Sequence, residues 1–404
     1  MSINHLFQNT IVFSNEKRNI DPTSLLNFTI STVADNSYFN LFDSYLVLDL
    51  EGKISKSSDA VTAANQKFRI KTNFQPSGLI GGSKSVYTYI NTNGDLVTQE
   101  LNTSNEYVGA CRGVISQLFT PKRVHEQDSG FLSNEYHSSG NVIFDNFIYF
   151  QCDKAGDNVG NITAKIRIPY RDCIEGANTQ SFINIKNLEV SLKLLDKKDF
   201  FQYNKVSNKY KIYKNDGSEN EVTITELFIK KCSLHNSCWT GEGGDSLIQP
   251  SLRELSNVTV STKNIILDQN KTNEDTNIIV NFAPKYMIVY FTDINRNHAQ
   301  LLNIKPSYFR VAVAGGSQST QTNFDNSLEK DSSYWDMVNY CCNTLREQSL
   351  ITYESWVNRM HYYVFPLSEM FSFKSSSIIE LNLIFDQLAQ KTVMNVIFIK
   401  DSSA

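Results

Sequence analysis

A chain of 404 residues, 41% hydrophobic and 20% charged, is globular rather than disordered and long enough for two cores of roughly 150–200 residues each. The net charge is −4, and no block of five or six like charges occurs, which excludes a protein that grips nucleic acid through a clustered basic footprint. With 25 Phe, 19 Tyr, many Asn, Ser and Thr, and no long Ala/Leu/Glu/Lys tracts, the composition favours strands joined by polar turns.

The chain opens on MSINHLFQNT, which lacks the regions of a signal peptide, and no apolar run approaches the ~18–20 residues of a membrane span. Segment 1–20 is a candidate arm, with Lys17-Arg18 its only basic pair. LVLDL (46–50) puts Leu46, Leu48 and Leu50 on one face, as a half-buried strand does. Polar residues 51–65 lack apolar periodicity and read as a surface loop. From Ser85 to Leu101, Asn93-Gly94 sits between a Tyr-rich run and LVTQEL, a hairpin signal. A helix is expected over 105–119, where Tyr107, Cys111, Val114, Ile115 and Leu118 share a face and Thr103 with Glu106 forms a capping box.

Ile168-Pro169-Tyr170 then ends an alternating stretch, and NLEVSLKLL (187–195) follows with Leu188, Val190, Leu192 and Leu194 on one face. Residues 204–220 read as a loop between two halves, so the expected domains are 1–205 and 206–404. YMIVYF (286–291) is apolar throughout, as a strand buried on both faces is. After the polar stretch 315–333, a second helix is expected over 333–345, with Tyr334, Val338, Cys341, Cys342 and Leu345 on one face and Ser333 with Asp336 as its cap. Phe365-Pro366-Leu367 repeats the earlier corner, and IIELNLIF (378–385) repeats the alternating strand.

The order helix, strands, Pro corner, alternating strand thus occurs once in each half, which makes two consecutive β-domains of one fold the simplest account. Pro ends a strand ladder because it lacks an N–H, and its fixed φ suits the first turn of a short helix. These corners, Ile168, Pro169, Tyr170, Phe365, Pro366 and Leu367, are read as architectural.

Chemistry is sparse. GLIGGSKS (78–85) glances at a phosphate-binding loop, but Ser83 stands at a required Gly and a hairpin follows in place of a helix. Cys232, His235 and Cys238 in CSLHNSC offer three soft ligands, whereas structural zinc takes four, usually as two close pairs. GEGG (241–244) reads as a turn, and the six histidines neighbour no nucleophile motif. Seven irregularly spaced cysteines make a disulfide framework a poor reading. No catalytic residue, cofactor or enzymatic activity is expected.

KIRIPYRDCI followed by SFINIKNLEVSLKLLD resembles a passage in the double jelly-roll major capsid proteins of eukaryotic DNA viruses, among polinton-like, adintovirus and virophage relatives. There a strand ending in Ile-Pro-Leu runs into a short helix, and an alternating strand, here Asn187–Leu195, closes the first barrel. APKYMIVYF, WVNRMHYYVFPLSEMF and SIIELNLIF resemble the second barrel. Tyr170 and Cys173 depart from the usual first corner, and the short chain implies small loops at the barrel tops.

The resemblance implies an all-β protein with a few short helices, built as two consecutive jelly-roll sandwiches. It implies a structural capsid subunit that trimerises into pseudo-hexagonal capsomers tiling an icosahedral shell. Its partners would be itself, neighbouring capsomers, and penton and minor capsid proteins, without strong nucleic-acid binding or a membrane span. It would be made in the host cell and end in the virion. The alternatives are a penton or minor virion protein with one jelly roll, and a non-viral tandem β-sandwich binding module.

Overall fold

The computed structural model describes residues 4–12, 17–31, 37–73, 76–91, 93–102, 114, 118, 135–138, 141–144, 147–174, 176–177, 182–240, 260–294, 301–314, 332–342, 351, 353, 356, 362–373 and 376–400. Packing divides the chain into two compact units, 1–117 with 124–257, and 118–123 with 258–404.

In the first unit the strands are β1 (Asn4–Val12), β2 (Arg18–Asn19), β3 (Leu25–Ser31), β4 (Ser37–Ser55), β5 (Lys67–Lys71), β6 (Ile80–Ile90), β7 (Leu96–Asn102), β8 (Glu135–Ser138), β9 (Asn141–Phe144), β10 (Phe147–Cys152) and β11 (Gly160–Pro169). Helix α1 (Tyr170–Cys173), β12 (Phe182–Leu194), α2 (Lys197–Phe200), β13 (Tyr203–Asn204), β14 (Lys209–Tyr213) and β15 (Glu219–Thr240) complete it. The second unit holds β16 (Val260–Leu267), β17 (Asn273–Val280), β18 (Tyr286–Asp293), β19 (Pro306–Val313), α3 (Ser332–Cys342), β20 (Tyr363–Phe365), α4 (Leu367–Met370), β21 (Ser377–Phe385) and β22 (Thr392–Ile399).

Alternation sets which face each strand buries. On β12, Leu188, Val190, Leu192 and Leu194 are buried, and on β21, Ile379, Leu381, Leu383 and Phe385 are. Met287 through Phe291 of β18 are buried without a break, as the unbroken apolar run predicts. The hairpin at Asn93-Gly94 is β6–β7; Gly94 takes φ +85°, and the Asn91 side chain accepts from the backbone N–H groups of Asn93 and Asp95.

All ladders among the described residues are antiparallel, and their order shows the duplication. Numbering the main strands of the first unit in chain order, β1, β3, β4, β6, β7, β11, β12 and β15 are the first to the eighth. One sheet runs β1-β15-β4-β11, the order 1-8-3-6. The other runs β3-β12-β6-β7, the order 2-7-4-5. Their inner faces share one core, with Leu46, Leu48 and Ile166 from the first sheet and Tyr87, Leu188 and Leu192 from the second. Eight antiparallel strands in two sheets joined this way form a jelly roll.

The second unit repeats it. Its sheets are β16-β22-β18-β20 and β17-β21-β19, which match 1-8-3-6 and 2-7-4 with no counterpart of the fifth strand among the described residues. Phe309 on one sheet packs edge-on against Tyr363 and Phe365 on the other, at centroid distances of 5.8 and 4.8 Å. The protein is all-β with a few short helices.

Several expectations change. The alternating strand β12 is the seventh of its jelly roll, and β15 is the eighth. Residues 206–240 therefore pack with the first unit rather than beginning the second, and the division falls after Thr240, not near 205. The polar stretch 204–220 misled because it contains a hairpin whose strand β14 pairs with β5 and β15. Residues 51–55, read as loop, continue β4, and 51–54 are paired on both sides. Residues 4–12, within the candidate arm, lie along β15 in an unbroken nine-pair register.

Nor are the first unit's connections small. The segments between its third and fourth, fifth and sixth, and seventh and eighth strands supply β5, β10 and β14. These close a ring through β4, β11, β10, β5, β14 and β15, with Phe68, Ile70, Phe150, Ile162, Phe201, Tyr210 and Ile212 buried there.

Of the first expected helix, Val114 and Leu118 are helical and buried, and the rest, with Thr103, Glu106, Tyr107, Cys111 and Ile115, lies outside the described residues. The second is α3, which buries Tyr334, Met337 and Cys341 and half-buries Val338. The side chains of Ser333, Asp336 and Cys342, residue Leu345, and GEGG lie outside them too.

Candidate functional site

The two corners occupy the same place in the two jelly rolls, between the sixth and seventh strands. In the first, Ile168 and Pro169 end β11 with Ile168 fully buried, and Pro169 at φ −60° leads into α1. The one-turn helix closes when Ile174 N–H donates to the Tyr170 carbonyl at 2.7 Å. In the second, Phe365 ends β20, Pro366 takes φ −80°, and the N–H groups of Glu369 and Met370 donate to its carbonyl at 3.0 and 3.2 Å. Leu367 is buried below it. A single turn is too short to stand alone, so burial of Tyr170 or Leu367 against the sheets holds each corner.

Tyr170, the unusual residue of the first corner, has a structural reason. Its ring is wholly buried and lies 6.5 Å from that of Phe28 on β3, and its hydroxyl donates to Asn236 Oδ1 on β15 at 2.8 Å. Burial pushes the phenol pKa well above its ordinary value, so it stays a neutral donor. The corner is thus tied to strands of both sheets. Cys173 is buried one turn on, its thiol donating to the Pro169 carbonyl at 3.4 Å. Arg171 donates to the Phe42 carbonyl at 3.1 Å, with its guanidinium 4.5 Å above the Phe42 ring. Tyr170→Phe should destabilise the first unit by about 1–2 kcal/mol, because Asn236 Oδ1 loses a buried donor. Urea unfolding checks this, and an unchanged midpoint would remove the bond from the account.

Cys232, His235 and Cys238 lie along the one strand β15, opposite Leu48, Tyr45 and Phe39 of β4. At about 3.3 Å per residue the two cysteines stand roughly 20 Å apart, too far to share an ion. Burial, with Asp49 nearby, pushes the Cys232 thiol up to about 12. His235 stacks on Tyr45 with ring centroids 4.6 Å apart, and Arg167 covers Tyr45 at 3.5 Å. Burial first and the Arg167 charge second lower the imidazole pKa. Among the described residues no group of three His, Cys, Asp or Glu side chains could hold a metal ion. GLIGGSKS ends a 3-10 turn at Leu79 and from Ile80 forms the start of β6, whose Gly82 to Lys84 pair with Lys193 to Ser191 of β12. No helix N-terminus follows to cradle a phosphate. Among the described residues no helix is long and apolar enough to cross a membrane.

Sequence reasoning missed the polar partner of the corner. Asn236 reads as one more polar residue of CSLHNSC, and only the register of β15 brings it to Tyr170.

Two successive jelly rolls, each with its Pro corner, define a double jelly-roll architecture. Over almost its whole length the chain is similar to PBCV-1 VP54, as fitted into a reconstruction of the virophage Sputnik, with a TM-score of 0.43 at 7% identity over 99% of this chain and 94% of the other. It is similar to the Faustovirus major capsid protein, with a TM-score of 0.41 at 7% identity over 98% and 90% of the two chains. A chain of the PBCV-1 virus capsid gives 0.40 at 7% identity over 99% and 93%. No protein-family model and no curated protein matches the sequence.

Proposed function

We propose that this protein is a structural viral capsid subunit, a double jelly roll that trimerises into a pseudo-hexagonal capsomer tiling an icosahedral shell. The observation that carries the reading is the repeated strand order, 1-8-3-6 with 2-7-4, in two successive units of one chain, with a Pro corner at the same step of each. Two similar sandwiches per chain, taken three times around an axis, give six similar blocks, the outline that packs into a hexagonal net. Such a contact is heterologous and closes by rotation.

In this reading the first jelly roll is 4–240 and the second 260–399, and the six corner residues serve packing. The work is burial of complementary surface, with no catalytic group and no cofactor. Partners are further copies, then neighbouring capsomers and the penton and minor proteins of the shell, and the destination is the virion. A net charge of −4 suits a shell wall that leaves genome packaging to other proteins.

Light scattering of the purified protein with negative-stain imaging tests it. A trimer of three 45.9 kDa chains with a hexagonal outline is the expected result, and a monomer in solution and in particles would overturn it. Pro169→Asp and Pro366→Asp place a carboxylate at buried positions, so each should cost several kcal/mol and most of the soluble trimer. Full trimer yield from both variants would contradict the role given to the corners.

A further inference from the structure

Two hairpin turns of the first unit share one backbone hydrogen-bond pattern. Between β6 and β7, Asn91 N–H donates to the Asp95 carbonyl at 2.9 Å, and Gly94 N–H to the Asn91 carbonyl at 3.0 Å. Between β14 and β15, Lys214 N–H donates to the Ser218 carbonyl at 3.0 Å, and Gly217 N–H to the Lys214 carbonyl at 2.9 Å. The two glycines take φ +85° and +80°, as the last residue of a three-residue hairpin loop does. Before them stand Asn93 and Asp216, both exposed. Asn-Gly and Asp-Gly each occur once in the sequence, so the same backbone presents an amide in one turn and a carboxylate in the other.

The two side chains are held differently. Asp216 Oδ1 accepts from the N–H and the hydroxyl of Ser218 at 2.9 and 2.6 Å, and the hydroxyl bond is the first cause of its lowered pKa. The carboxyl is therefore ionised and tethered, and a carboxylate is a poor electrophile. The Asn93 amide is neutral and makes no hydrogen bond with any described residue. Gly94, lacking a Cβ, leaves its own nitrogen open to approach from that side chain.

We propose that Asn93 is a site of spontaneous deamidation, with the Asn91 side chain as the brake on it. The Gly94 nitrogen gives its proton to hydroxide and attacks Asn93 Cγ. The Cγ–Nδ2 bond breaks, and ammonia leaves with a proton from water, closing a five-membered imide. Water then opens the ring. At Cγ it gives aspartate, and at the backbone carbonyl it gives isoaspartate, whose main chain runs through Cγ. The native turn opposes this, because Gly94 N–H is bound to the Asn91 carbonyl and Asn91 Oδ1 holds the N–H groups of Asn93 and Asp95 at 2.9 and 2.8 Å. Attack therefore waits for local opening of the hairpin tip. Each event makes the net charge of −4 one unit more negative. Isoaspartate also lengthens the turn that pins Ile90 to Leu96, which loosens the register of β7 and its buried Leu101. None of this depends on the capsomer reading.

The test is storage of the folded protein in mildly alkaline buffer, with peptide mass spectrometry of samples drawn over time. The peptide holding Asn93 should gain the mass of –OH replacing –NH2 before any other asparagine does, as both isomers and at a rate proportional to hydroxide. The peptide holding Asp216 should stay unisomerised over the same period. Asn91→Ala should speed the loss of Asn93 about fivefold or more, since two hydrogen bonds of the turn are removed. The parent unfolded in urea should likewise react faster than the folded parent. Asn93→Gln, whose side chain would have to close a larger ring, should abolish the mass gain at this position and leave the urea midpoint as in the parent. A folded parent whose Asn93 outlasts other exposed asparagines overturns the site. An Asn91→Ala rate equal to that of the parent, or an unfolded chain no faster than the folded one, overturns the brake.

Discussion

Gly52→Val is expected to destabilise the first unit by about 3 kcal/mol, at the upper end for overpacking. Gly52 lies in the middle of β4, hydrogen-bonded between β11 and β15. A Cβ there would sit 2.4 Å from the Glu226 carbonyl oxygen, 3.0 Å from Leu227 Cδ1 and 3.3 Å from Ile162 Cγ1. The oxygen cannot swing aside as a side chain would, because β15 bulges between Ile224 and Glu226 at this point. Strand propensity argues the other way, since valine is favoured over glycine in a sheet by up to about 1 kcal/mol. The two effects differ in sign, so the experiment decides between them. A urea midpoint at or above that of the parent would show that the bulge relaxes.

Phe309→Ala should cost the second unit about 3–5 kcal/mol, through lost burial and the cavity left behind. Phe309 is fully buried and is the ring on which Tyr363 and Phe365 pack edge-on, so it joins the two sheets next to the second corner. Phe309→Leu should cost less, about 1.5 kcal/mol, because most of the volume is kept. Hydrogen exchange should locate the loss. Amides of β18, β19 and β21 should exchange sooner, while those of β4 and β12 keep their protection. Equal loss in both units would mean that the two fold as one cooperative body.

Much of this was legible in the residues. Leu46, Leu48 and Leu50 announce the buried face of β4, and Leu188 to Leu194 that of β12, because period-two alternation is a property of one strand and of no other. Both Pro corners could be read for the same reason, since the ring acts on its own backbone. The loop readings at 51–55 and 209–213 failed because polar residues on a strand edge or outer face look like turn residues until a partner strand is known.

The candidate site divides the same way. CSLHNSC looked like a ligand cluster in one dimension, but along an extended strand neighbours in sequence are kept apart, and what matters is the strand alongside. There Asn236 meets Tyr170, 66 residues away, and Gly52 meets Glu226 across 174 positions.

Taken alone, the residues establish which side chains face inward, where the chain turns its corners, and that the plan occurs twice. The order of strands in the sheets, the assignment of β15 to the first jelly roll, the ring closed by β5, β10 and β14, and the tie between Tyr170 and Asn236 emerge only in the folded chain. Burial patterns are written by each strand for itself, whereas a ladder is a choice between edges far apart in the chain. Every backbone offers the same N–H and C=O groups, so that choice is made by packing.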